Sequence, residues 1–136
     1  MKPQTLLWLD DYRNPLDTKT DWLVFSPIPR ENLQVVWVKS YQEFKDWIID
    51  NSLPEAICFD HDLADEHYAI GRPSNFQEFD YALTTEKTGM DCAKWLVQYC
   101  IEFKKQLPLF NIQSANPVGA KNIRSLLENF NKHNQY

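Results

Sequence analysis

The chain has 136 residues, 43% of them hydrophobic and 14% aromatic, which suits one domain with its own core and excludes a disordered chain. Three Gly against eight Pro exclude collagen-like and Gly-rich linker classes. A net charge of −5 argues against duplex nucleic acid as a partner, because such binding draws its affinity from many Lys and Arg on phosphates.

The elements follow in chain order as strands alternating with helices. Thr5-Leu6-Leu7-Trp8-Leu9 is a continuous apolar run, the pattern of a strand buried on both faces. Residues 12–33 carry Pro15, Pro27 and Pro29 and show no clean period, so a full first crossover helix is not expected there. Val35-Val36-Trp37-Val38 is the second strand. Ser40-Tyr41-Gln42-Glu43 reads as a capping box, with Tyr41, Phe44, Trp47 and Ile48 at helical spacing behind it and Asn51 and Pro54 as the stop.

Ala56-Ile57-Cys58-Phe59 is the third strand. Residues 61–87 are about twice the usual connection length, an inserted loop of the kind that often binds or covers a ligand. Thr88-Gly89-Met90-Asp91 starts a second helix, whose apolar face is Met90, Ala93, Leu96, Val97 and Cys100. Leu109-Phe110-Asn111-Ile112 is a fourth, weaker strand. Asn116-Pro117 opens the last helix, with Ile123, Leu126, Leu127 and Phe130 as its core stripe. The whole chain, 1–136, is expected to be one α/β domain. Its sheet would be open and parallel, of about four strands in the order 2-1-3-4, with flanking helices on both faces and no clear fifth strand.

No stretch approaches the roughly 20 apolar residues of a membrane span, and the apolar run at the amino terminus is too short for a secretory signal. A cytoplasmic location without membrane contact is therefore expected. Cys58, Cys92 and Cys100 form no Cys-x-x-Cys and read as small buried hydrophobes in a reducing compartment.

The acids occupy special positions. Asp10 and Asp11 end the first strand, Asp60 and Asp62 the third, and Ser114 the fourth. In an open parallel sheet, ligands bind beyond the carboxyl ends of the strands where strand order reverses, here between strands one and three. Converging carboxylates repel by on the order of 1–4 kcal/mol per pair, a cost that a hard divalent cation removes. Asp10, Asp11, Asp60 and Asp62 are therefore expected to converge on Mg²⁺ or Mn²⁺, the alternative being a protonated carboxyl that serves as a general acid. Arg13 is placed to clamp a phosphate or to pair with one of these acids. His61, between Asp60 and Asp62, suits a general acid or base near neutral pH. Ser114 and Asn116 lead into a helix amino terminus that suits an anion.

These segments resemble the response-regulator receiver domain, and more closely the cyclic-phosphate processing receiver group. The matching segments are Leu7-Trp8-Leu9-Asp10-Asp11-Tyr12-Arg13-Asn14-Pro15, Phe59-Asp60-His61-Asp62-Leu63, Gly89 to Leu96, and Gln113 to Ile123. The resemblance implies a receiver/flavodoxin-like fold and a Mg²⁺-dependent phosphoesterase acting on the cyclic phosphate of a small, nucleotide-derived substrate. The site would take Asp60, Asp62 and His61 as catalytic residues, Asp10, Asp11 and Asp60 as metal ligands, and Arg13, Ser114 and Asn116 as phosphate ligands. The alternative is a phosphoacceptor or non-catalytic signalling module. The chain departs from ordinary receivers in offering no residue for the Lys that ends their fifth strand, which weighs against that alternative.

Overall fold

The computed structural model describes residues 3–60, 88–114 and 116–134. Four strands, β1 (Gln4–Leu9), β2 (Leu33–Val38), β3 (Ala56–Phe59) and β4 (Leu109–Ile112), form one parallel sheet in the order β2-β1-β3-β4. Among the described residues three α-helices join or follow them: α1 (Tyr41–Asn51), α2 (Gly89–Phe103) and α3 (Pro117–His133). This is the receiver/flavodoxin-like arrangement, and the strand order is the expected one. The expected inserted loop, 61–87, lies outside the described residues.

Burial explains the continuous apolar runs. Leu6 to Leu9 and Ala56 to Phe59 have no exposed surface, as the two central strands of a doubly covered sheet require. Each buried Leu, Ile or Phe side chain contributes on the order of 1.5–3 kcal/mol relative to exposure. One face of the sheet presents Leu7, Leu9, Val38, Ile57, Phe59 and Ile112 to all three helices. Phe44 of α1 lies 5.9 Å from Phe59 and 6.2 Å from Trp95 of α2, ring centroid to ring centroid. Ile123, Leu127 and Phe130 of α3 complete this core, and α2 touches both other helices.

Among the described residues, the opposite face carries no α-helix, so helices are seen on one side only. Of those residues, Leu6, Trp8, Ala56 and Cys58 are covered there by Ile28 and by a 3₁₀ turn, Trp22–Phe25. Side-chain turns occupy the segment before it: Asn14 Oδ1 accepts from Leu16 N and Asp17 Oδ1 from Lys19 N, both at 2.9 Å. Pro27 and Pro29 then remove two backbone donors and disfavour helical backbone just before each. The turn is nailed to the sheet through the Phe25 carbonyl, which accepts from Asn111 Nδ2 at 2.9 Å and from the Cys58 thiol at 3.5 Å.

The helix starts follow the sequence reading with one variation. Ser40 Oγ accepts from Glu43 N at 3.1 Å, but the Glu43 carboxylate reaches past the cap to Lys39 N at 2.9 Å. In α2 the shorter Asp91 closes the reciprocal box, accepting from Thr88 N at 2.8 Å while Thr88 Oγ1 accepts from Asp91 N at 3.3 Å. Asn116 caps α3 through Oδ1, which accepts from Gly119 N at 2.9 Å, with Pro117 in the first turn. Among the described residues, no helix is long and apolar enough to cross a membrane.

Candidate metal centre

The strand ladder runs one residue past the strands themselves. Asp10 N donates to Val38 O at 3.1 Å, Asp60 N to Leu9 O at 3.0 Å and Gln113 N to Phe59 O at 2.9 Å. Leu9 is in register with Val38 and Phe59, and Phe59 with Ile112. Asp10, Asp60 and Gln113 therefore stand level across the carboxyl edge of β1, β3 and β4. Side chains alternate along a strand, so all three share the face of Trp8, Cys58 and Asn111. The buried polar side chains among the described residues are these three, and they gather at this one edge.

Asp10, Asp11 and Asp60 each bring a carboxylate oxygen within 4.8 Å of the others. Asp10 is fully buried, Asp60 is buried and Asp11 is half-buried. The sequence rule of acids at adjacent strand ends thus corresponds to one cluster. His61 and Asp62 lie outside the described residues.

Asp10 is held tightly. Its Oδ1 accepts from Tyr12 N and Arg13 N, both at 2.9 Å, and its Oδ2 accepts from Arg13 NH1 at 3.0 Å. A carboxylate offers about four lone-pair directions, so three are committed to shaping the turn and one is left. The same guanidinium nitrogen lies 3.8 Å from Asp60 Oδ2, an ion pair beyond hydrogen-bond reach. Of the two roles open to Arg13, the structure contains the pairing with acids. Its guanidinium also stacks over Trp22, 5.3 Å from the ring centroid.

Two indoles pin this corner. Trp37 Nε1 donates to Asp10 O at 2.7 Å and Trp8 Nε1 to Arg13 O at 3.1 Å. In the sequence both tryptophans read as apolar strand residues. Their N–H groups are what a buried Trp must satisfy, and the main chain around the acids supplies the acceptors.

Ser114 and Asn116 sit just beyond Gln113, at the amino terminus of α3. Ser114 Oγ accepts from Asn116 N at 3.1 Å, and Asn116 caps the helix. Both therefore have structural roles at the helix start.

The donor set fits a hard cation. All three clustered ligands are carboxylate oxygens, the preference of Mg²⁺, Mn²⁺ and Ca²⁺ rather than of thiolate-loving ions. Carboxylates gathered this closely repel one another, a cost that a divalent ion removes. Gln113 adds an independent sign. Its Nε2 donates to Leu9 O at 3.0 Å, yet its buried Oε1 has no partner among the described residues. Nothing local in the sequence marks Gln113, since only the pairing of β4 with β3 brings it level with the acids.

Residues 5–129 match a family model described as Cyclic-phosphate processing Receiver domain. No curated protein and no solved structure matches the chain.

Proposed function

We propose that this chain, which belongs to the cyclic-phosphate processing receiver family, is a divalent-metal-dependent phosphoesterase that opens the cyclic phosphate of a small nucleotide-derived substrate. The observation that carries the reading is the convergence of the Asp10, Asp11 and Asp60 carboxylate oxygens at the strand ends, within 4.8 Å of one another. Asp11 and Asp60 would hold Mg²⁺ or Mn²⁺ together with the remaining lone pair of Asp10. When bound, the ion supplies neutralisation of phosphate charge and a site for an activated water.

The chain's own residues do the rest. Asp10 locks the turn that presents Asp11. Arg13 has further N–H groups beyond the one directed at Asp10, and these suit a phosphate oxygen. Ser114 and Asn116 would meet the other phosphate oxygens at the start of α3, where the helix dipole favours an anion. Water attacks phosphorus, one ring P–O bond breaks, and the leaving oxygen takes a proton. His61 or Asp62, directly after Asp60, would take the proton from water and return one to the leaving oxygen. On this reading the chain acts as a single domain over 1–136 in a reducing, cytoplasmic setting, with neither duplex nucleic acid nor membrane as partner.

The test is turnover of a panel of nucleoside cyclic monophosphates, followed by ³¹P NMR with Mg²⁺ or Mn²⁺. Wild-type protein should convert at least one member to a phosphomonoester, and Asp60→Asn should lose on the order of 100-fold or more in rate. Full activity in Asp60→Asn refutes the assignment. Absence of turnover, with covalent phosphate appearing on Asp60 from a small phosphodonor, would favour a phosphoacceptor module instead.

A further inference from the structure

We propose that Gln113 is a positioning residue of the acidic centre, tying the root of Asp10 to that of Asp60 and accepting a hydrogen bond from a water on the bound cation. The inference rests on the divalent-metal reading above. It starts from where the residue is held. Gln113 N donates to Phe59 O, the carbonyl immediately before Asp60. Its side chain then crosses β3 to donate from Nε2 to Leu9 O, the carbonyl immediately before Asp10. Leu9 O also accepts from Asp60 N. One residue of β4's end thus braces both acid-bearing strand ends, across 104 positions of sequence.

The orientation of the carboxamide is decided by Leu9 O. An acceptor on that side requires the NH₂ group to face it, which turns Oε1 the other way. That oxygen is an acceptor only, it belongs to a residue 5% exposed, and no hydrogen-bond donor among the described residues meets it. Buried acceptors are nearly always satisfied, so a lone one beside a charged cluster points to a donor that binds with the ligand. Mg²⁺ and Mn²⁺ retain several waters when held by a few carboxylates, and those waters are strong donors in search of acceptors. The carboxamide is tethered to main chain one residue behind the carboxylates. A water of the ion, rather than the ion itself, is therefore its partner.

The experiment uses the full chain and Mn²⁺ as probe. Calorimetry gives the affinity, and ¹⁷O relaxation of water gives the number and exchange rate of metal-bound waters. Gln113→Leu keeps the bulk and removes both polar functions. It should bind Mn²⁺ about 10-fold more weakly, with the same number of bound waters exchanging faster. Gln113→Glu keeps an acceptor and should restore slow exchange, a recovery that a purely structural role does not produce. Should the Leu variant fail to fold, Gln113→Asn carries the test, because it is one methylene too short to span β3 and should match the Leu prediction. Wild-type affinity and exchange in the Leu or Asn variant overturn the proposal and leave the metal site standing. One additional bound water in either variant overturns it too, since Gln113 would then be a direct ligand. No Mn²⁺ binding by the wild type refutes the metal site itself, and this inference with it.

Discussion

Asp10 does two jobs at once, and its turn-shaping role has a measurable consequence. It is fully buried, it accepts from two backbone N–H groups, and it pairs with Arg13 at 3.0 Å. Asp10→Ala leaves two donors and a guanidinium without their acceptor, and removing one partner of a buried pair typically costs about 3 kcal/mol or more. Asp10→Asn keeps a carbonyl oxygen for the two backbone donors and loses mainly the charge, so its loss should be roughly half as large. Urea denaturation of the two variants at neutral pH checks both the direction and the order. Equal losses would mean that the charge, not the turn, carries Asp10's contribution. The sequence allowed Arg13 either a phosphate or an acid as partner, because the choice depends on how the Asp10 turn folds back on itself.

The helices show how far local chemistry reaches. The capping box at the start of α2 involves neighbours three residues apart, which is why Thr88 and Asp91 were recognisable without coordinates. Thr88→Ala should cost about 1 kcal/mol, the usual value of an N-cap. Leu127→Ala tests the opposite regime. Leu127 is fully buried in the core formed by α3 and the sheet, so the expected loss is about 2–5 kcal/mol. Chemical denaturation midpoints distinguish the two, and the Leu127 effect should exceed that of Thr88 clearly. The segment 12–33 is the converse case. Its prolines announced that no full helix would form, but not that Trp22 and Phe25 would cover a sheet face. That covering depends on Trp8 and Cys58 emerging on the same side of the sheet.

Across the whole molecule the thiols report on the integrity of the core. Cys58, Cys92 and Cys100 are all free and buried. Burial pushes the Cys58 thiol up to about 12 and that of Cys100 to about 11. Cys92 is raised as well, by burial first and by the charge of Asp91 second. The folded protein should therefore resist alkylation by iodoacetamide at pH 8, whereas all three cysteines should react in urea; mass spectrometry counts the adducts. Rapid labelling of the native protein would mean that the core opens readily. The sign of the pH effect follows. An unfolded thiol ionises near 9, so the stabilisation is intact below that pH. It is lost progressively as pH climbs from 9 through 11–12, because only the unfolded chain can release these protons there. Thermal melts from pH 8 to 10.5 should show a falling midpoint.

The sequence by itself determined the strands, the caps and the acids at the strand ends. Those features are written in contiguous residues: unbroken apolar runs, a hydroxyl three places before a carboxylate, an aspartate where an apolar run stops. It also supported the strand order, because right-handed parallel crossovers leave few arrangements. Only the tertiary structure decided which acids share a site, what Arg13 touches and why Gln113 matters. Each of those depends on register between strands, and register joins residues such as Leu9 and Gln113 that no local period connects. The common face of the three described helices was decided the same way, since an amphipathic stripe says that a helix is covered but not which side of the sheet covers it.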